Sequence, residues 1–247
     1  MKYRIGHKGA DLLEPGNTIC SFERAVEIGV DLIELDVLWT PGGEPELPPD
    51  EREPLMVAHD LEAAHSGRHP SLAEALDAFL RPPLDRVEIN CDIKLPGREP
   101  ELVAALAERD LISRAMISTP HVEAIEAVRR LEPGLRRGRT FPKVKRAWDQ
   151  IRWARPGVLA ALGWMRVSLP RTLGRSAAEL GLSSCWVVHP LITPKLVGAA
   201  RSAGIELMAW TVDDAARVRE LEAMGVDGIC SNDPRLLNAA GTSKSAA

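Results

Sequence analysis

Eight short β-rich runs alternate with helix-forming stretches, at about residues 3, 32, 87, 115, 136, 185, 206 and 228. This alternation predicts an α/β fold in which a parallel sheet wrapped by helices closes into a (β/α)8 TIM barrel. Paired acids, lysines and histidines recur at the ends of these runs, where a barrel of this kind keeps its site. An open doubly wound sheet is the alternative, and the missing phosphate-binding glycine fingerprint counts against its dinucleotide-binding version.

The elements follow in order. Tyr3–Gly6 reads as a strand, and Asn17 caps a helix to Ile28 with Ile19, Phe22 and Val26 on one face and Gly29 as its stop. Leu32–Val37 is the next strand. Leu55–Ala58 follows a Pro-, Gly- and Glu-rich loop without helical pattern, so it reads as an antiparallel hairpin extension of that strand, outside the barrel count. Ser71-x-x-Glu74 is a capping box opening a helix to Phe79. Val87–Ile93, Ala115–Ser118, Leu135–Phe141, Cys185–Val188, Glu206–Val212 and Gly228–Ser231 complete the strands. Helices are expected over Glu101–Glu108, from Thr119-Pro120, from Thr193-Pro194 and over Asp214–Met224, the two Thr-Pro pairs placing proline at the first helical position.

The 247 residues fit one (β/α)8 domain over 1–240, with 241–247 a frayed tail. Apolar residues at 45% and charged residues at 27% match a globular chain, and a net charge of −4 gives no reason to expect nucleic acid. There is no signal-peptide apolar region and no run of eighteen apolar residues, so a cytoplasmic protein is expected. Cys20, Cys91, Cys185 and Cys230 form no C-x-x-C pair and read as reduced thiols.

The chemistry gathers at strand ends. His7-Lys8-Gly9 closes the first strand, Glu34 and Asp36 share one face of the second, and Asp92 and Lys94 share one face of the third. His59-Asp60 ends the hairpin extension over the mouth, and Trp210 lies on the run at 206. Three carboxylates converging on one mouth repel each other unless a hard divalent cation sits among them, and oxygen donors suit Mg²⁺ or Ca²⁺. His7 and His59 are then a base and acid for neutral pH, and Lys8 and Lys94 add positive charge. The set suits phosphoryl transfer on an anionic substrate. His65, His69 and His121 read as solvent-exposed or hydrogen-bonded, and His189, at a strand end, is held in reserve.

These pieces, in this order, resemble the glycerophosphodiester phosphodiesterase family. They are His7-Lys8-Gly9-Ala10, Asn17-Thr18 with Phe22, Gly29-x-Asp31-x-x-Glu34-Leu35-Asp36-Val37 and Val57-Ala58-His59-Asp60. Asp92-Ile93-Lys94, Trp210-Thr211-Val212-Asp213 and Gly225-Val226-Asp227-Gly228-Ile229 continue them. The match runs from about residue 4 to 237 and is thin between 120 and 185. The resemblance implies a divalent metal (Mg²⁺ or Ca²⁺, with Mn²⁺ also suited) on Glu34, Asp36 and Asp92, and an acid–base pair of His7 and His59. It implies that Lys8 and Lys94 hold phosphate oxygens and that Trp210 packs against substrate. It further implies attack by a glycerol hydroxyl on its own phosphorus, a cyclic phosphate and its opening by water, a hydrolase of glycerol and lipid metabolism. Three positions depart from the family pattern: Lys8 stands for arginine, Asp92 for glutamate and Gly16 for glutamate. Only Leu61–Pro70 follow His59-Asp60, where relatives often insert a cap of several tens of residues, so the mouth is more open.

Two rivals keep the phosphodiester: a lysophospholipase D-like or sphingomyelinase D-like enzyme on a lyso-lipid, and an inactive phosphodiester-binding barrel. A third makes Lys94 the Schiff-base lysine of an isomerase or aldolase. Residues 135–155 hold eight Lys or Arg and one Asp, with Trp148, Trp153 and Trp164 in or just beyond them. The stretch 135–164 therefore reads as either a solvated face or a weak contact with an anionic membrane surface. The sequence leaves the oligomeric state open.

Overall fold

The structure, a computed structural model, describes residues 1–143 and 155–239. The strands are β1 (Tyr3–His7), β2 (Leu32–Leu38), β3 (Met56–Val57), β4 (Glu88–Ile93), β5 (Ala115–Thr119), β6 (Arg136–Phe141), β7 (Ser184–Val188), β8 (Glu206–Trp210) and β9 (Gly228–Ser231). The helices are α1 (Ile19–Ile28), α2 (Leu61–His65), α3 (Leu72–Ala78), α4 (Glu99–Ala107), α5 (Val122–Leu131), α6 (Arg155–Leu180), α7 (Pro194–Ala203), α8 (Ala215–Met224) and α9 (Arg235–Ala239). Eight strands form one parallel ring, β1-β9-β8-β7-β6-β5-β4-β2, closed by the β1–β2 pairing. β3 stands outside the ring, antiparallel to β2 through Val37–Val57 and Leu38–Met56, as the hairpin reading requires.

The two-residue side-chain period divides each strand between two cores. Ile33, Leu35 and Val37 of β2 and Ile89, Cys91 and Ile93 of β4 face the helices in one apolar layer with Phe22, Leu76, Phe79 and Leu102. Alternate residues point inward, where Tyr3, Ile5, Leu32, Met116, Trp186, Met208 and Cys230 fill the barrel. Gly138 on β6 makes room for this filling, because a Cβ there would lie 2.7 Å from the Trp186 ring.

Several boundaries shift for local reasons. Thr18, not Asn17, caps α1, its hydroxyl accepting the Ser21 N–H. Thr119-Pro120 does not open α5: Thr119 ends β5 with its hydroxyl donating to the Ile93 carbonyl, and His121 is the cap residue. Thr193-Pro194 does open α7 with proline in its first turn, and Asp214 caps α8. β8 ends at Trp210, two residues before the expected Val212, and α4 begins at Glu99.

Helices run back against the strands, so strand C-termini and helix N-termini share one face, the mouth. α6 has 26 residues, about 39 Å of helix, and its second half packs Leu169, Leu173, Ala177 and Leu180 on the barrel. Its mouth-side half carries Trp164, 71% exposed, and Val167. Trp148, Trp153, much of the basic stretch and the tail 241–247 lie outside the described residues. Three of the stretch's arginines are tied into the barrel wall: Arg136 to Glu88, Arg137 to the carbonyls of Leu135 and Gly181, and Arg139 to Ser176. Among the described residues, no helix is long and apolar enough to cross a membrane.

Candidate active site and metal centre

Strand register brings the acids together. His7 stands beside Glu34 across β1 and β2, and Asp36 stands beside Asp92 across β2 and β4. Glu34, Asp36 and Asp92 each offer one oxygen, and these oxygens lie within 4.8 Å of one another. All three residues are buried. The Lys94 ammonium lies 2.6 Å from Asp36 Oδ1 and 2.6 Å from Asp92 Oδ2. Ser118 donates to Asp92 Oδ1 at 2.7 Å, and Asn90 donates to the Ser118 hydroxyl.

The electrostatics follow from three acids around one lysine. Burial, then the charges of Asp36 and Asp92, push the Glu34 carboxyl well above its usual range. Burial also works against charge on Asp36, but Lys94 and His59 outweigh it and hold Asp36 well below the usual range. Burial opposes charge on Lys94 too, yet Asp92, Asp36 and Glu34 prevail and raise it, so this lysine stays protonated. A permanently protonated amine is no Schiff-base nucleophile. The donor set fits a hard divalent cation: three carboxylate oxygens converge within 4.8 Å, and burial beside two like charges works against the charged form of Glu34.

Both catalytic candidates hold a defined tautomer. Asn232 donates through Nδ2 to Asp213 at 2.6 Å, which leaves its Oδ1 facing His7 Nδ1 at 2.6 Å. His7 Nδ1 therefore carries the proton and Nε2 is bare, 3.9 Å from Glu34 Oε2. Burial lowers the His7 imidazole below its usual value, against the raising pull of Asp36 and Asn232. His59 Nδ1 donates to Asp36 Oδ2 at 3.0 Å, and its ring is 56% exposed at the mouth.

Asn17 has a different place from the one its sequence context implied. β1 stops at His7, opposite Glu34, so the Asp36 N–H extends past the end of its neighbour strand. Asn17 takes that N–H on Oδ1 at 3.1 Å and donates Nδ2 to Asp36 Oδ2 at 2.9 Å. To reach it, Asn17 adopts φ +59°, a conformation asparagine tolerates.

The remaining expected residues divide. Trp210 ends β8 and packs on the inner core, its Nε1 without a partner among the described residues. Lys8 presents its backbone N–H to Glu34 Oε2 at 3.0 Å, while its ammonium turns to Asp11 at 2.7 Å. The turn it occupies depends on Gly9 (φ +89°), where a Cβ would fall 2.5 Å from the Ser21 hydroxyl. His189 lies half-buried just past β7, with Nδ1 unpartnered among the described residues. The structure adds Asn17, Asn90, Ser118, Asp213 and Asn232 to the site.

Comparison with known proteins points to one family. A family model described as the glycerophosphoryl diester phosphodiesterase family matches residues 62–236. A glycerophosphodiester phosphodiesterase of Caldanaerobacter subterraneus is 27% identical over 94% of this chain and 95% of its own. One from Arabidopsis thaliana is 28% identical over 93% of this chain and 70% of its own. Among solved structures, an Oleispira antarctica phosphodiesterase in complex with the product sn-glycerol-3-phosphate superposes with a TM-score of 0.68 at 18% identity, covering 97% of this chain and 96% of that one.

Proposed function

The chain belongs to the glycerophosphoryl diester phosphodiesterase family, and from that premise we propose that its barrel mouth hydrolyses glycerophosphodiesters to an alcohol and glycerol phosphate. The observation that carries the reading is the triad of buried carboxylates with oxygens within 4.8 Å, flanked by two histidines whose Nδ1 atoms are already committed. Glu34, Asp36 and Asp92 would hold a divalent cation, Mg²⁺ or Ca²⁺ with Mn²⁺ also suited. Bound there, the cation would offset the carboxylates and draw charge from the phosphoryl oxygens.

The chain's own groups supply the proton transfers. His7, half-buried with a bare Nε2, takes the proton of the substrate hydroxyl as its oxygen bonds to phosphorus. The bond from phosphorus to the alcohol oxygen breaks, and His59, its imidazolium supported by Asp36, gives that oxygen a proton. A cyclic phosphate remains, and water opens it with the two histidines in exchanged roles. Holding hydroxyl and phosphorus in one molecule supplies much of the rate. Lys94 faces the phosphate as a point charge, Trp210 walls the glycerol side, and Lys8 exchanges Asp11 for a phosphate oxygen.

The test is hydrolysis of glycerophosphocholine, glycerophosphoethanolamine and a lysophospholipid with Mg²⁺, Ca²⁺ or Mn²⁺, wild type beside Glu34→Gln. Metal-dependent release of the alcohol, lost in Glu34→Gln, is expected, and the preferred diester names the branch. Metal binding without turnover on any of them would overturn the reading in favour of a binding protein.

A further inference from the structure

The three acids of the mouth share one habit: each commits a carboxylate oxygen to a donor of the protein. Asp36 commits Oδ2, to Asn17 and His59, and Glu34 commits Oε2, to the Lys8 N–H. Asp92 commits Oδ1, to the Ser118 hydroxyl. The other oxygens of Asp36 and Asp92, Oδ1 and Oδ2, each lie 2.6 Å from the Lys94 ammonium, so they converge on one point.

The hold on Asp92 is built into the sheet. Ser118 stands directly beside Asp92 in the β4–β5 ladder, and Asn90 lies two residues before Asp92 on the same face of β4. Ser118 is 2% exposed and Asn90 fully buried. The direction of the chain of hydrogen bonds is forced. A carboxylate paired with an ammonium only accepts, so the single hydroxyl proton of Ser118 goes to Asp92 Oδ1, at 2.7 Å. The Ser118 oxygen then takes its own donor from Asn90 Nδ2, at 2.9 Å. Asn90 Oδ1 is left buried without a partner among the described residues. An orphaned amide oxygen is costly, and it shows which end of Asn90 the fold uses. Neither side chain has a part in the proposed proton transfers.

A carboxylate held by one oxygen meets a cation with the other. Such a ligand suits Mg²⁺, which demands a near-ideal octahedron at about 2.0–2.1 Å. Ca²⁺ reaches further, takes roughly six to eight oxygens and readily uses both of one carboxylate. We infer that Ser118, its proton aimed by Asn90, is a positioning residue that keeps Asp92 a one-oxygen ligand and so tilts the centre from Ca²⁺ towards Mg²⁺. The inference rests on the metal centre of the phosphodiesterase reading and is independent of turnover.

The experiment is calorimetric titration of the whole chain with Mg²⁺ and, separately, with Ca²⁺. It compares wild type with Ser118→Ala, Ser118→Thr and Asn90→Ala. In Ser118→Ala the Mg²⁺ dissociation constant is expected to rise about tenfold, the usual effect of losing a group that orients a ligand. The Ca²⁺ constant is expected to stay within about twofold, because the freed Asp92 can offer it a second oxygen. Ser118→Thr keeps the hydroxyl and is expected to keep the wild-type ratio of the two constants. Asn90→Ala leaves Ser118 without its donor and is expected to move the ratio the same way by less; it serves if Ser118→Ala fails to fold. A general loosening of the fold would weaken both cations alike. Equal losses, or an unchanged ratio, would therefore overturn the inference while the metal centre stands. Wild type that binds neither cation would overturn the two together. A shifted ratio supports the inference whether or not any diester is hydrolysed.

Discussion

Replacing Asn17 with glycine tests the clamp on Asp36. The side chain is buried and makes two hydrogen bonds to Asp36, one to its N–H and one to Oδ2. Glycine accepts φ +59° without strain, so the substitution removes the hydrogen bonds without a backbone clash. Each buried polar group left unsatisfied costs about 1–3 kcal/mol, and His59 still serves Oδ2, so the expected loss is about 3 kcal/mol. For a domain of this length that corresponds to a melting temperature lower by about 6–12 °C. Asn17→Ala loses the same bonds and also meets the left-handed backbone penalty of about 1–2 kcal/mol. Because Asp36 then keeps only His59 and Lys94 as side-chain restraints, divalent-cation affinity falls about tenfold or more. Thermal denaturation without metal and calorimetric titration with Mg²⁺ or Mn²⁺ measure the two effects. An Asn17→Gly protein that matches wild type in both would refute the clamp.

His7→Gln keeps the bulk of the ring and removes the proton acceptor, so kcat is expected to fall about 10²–10⁴-fold, with cation affinity measured by calorimetry close to wild type. Arg4 makes three hydrogen bonds to Asp31, and although burial works to raise this carboxyl, those bonds outweigh it and hold it below the usual range. Its stabilisation is present at neutral pH and is lost as pH falls through the lowered value, because the unfolded chain takes up the proton first. Asp31→Asn should thus be less stable than wild type in urea at pH 7, and the gap should close in acid; a constant gap would sink the linkage. Burial pushes the Cys91 and Cys185 thiols up to about 12 and holds Cys230 well above its usual value, while Cys20 is exposed. A thiol reagent should label Cys20 quickly and the other three only after denaturation.

The carboxylates and the ring were legible because their signals are short-range: alternation within a strand places Glu34 with Asp36 and Asp92 with Lys94, whatever the rest of the chain does. Three of the groups that orient them, Asn17, Asp213 and Asn232, were not, because each lies in a helix-start motif that already has an ordinary explanation. Asn17-Thr18, Asp213-Asp214 and Asn232-Asp233 are all doublets of capping residues. In each, the second residue serves the helix, accepting from Ser21, Arg217 or Arg235 N–H, and the first turns to the site. A doublet where one cap suffices is a signal that can be read at any barrel mouth. Lys8 shows the opposite limit: its place beside His7 is local, but its pairing with Asp11 depends on how the intervening loop folds back.

The ring's closing seam passes through this site. The cation side draws on β2, β4 and β5, whereas the His7 side draws on β1, on Asp213 after β8 and on Asn232 after β9. A chain ending before Asn232 would still carry every carboxylate and both histidines, but nothing would fix which His7 nitrogen bears the proton. On the proposed mechanism, the histidine of the first strand is therefore set for its role as base only once the last strand has joined it. Metal capture and turnover thus report on different portions of one polypeptide.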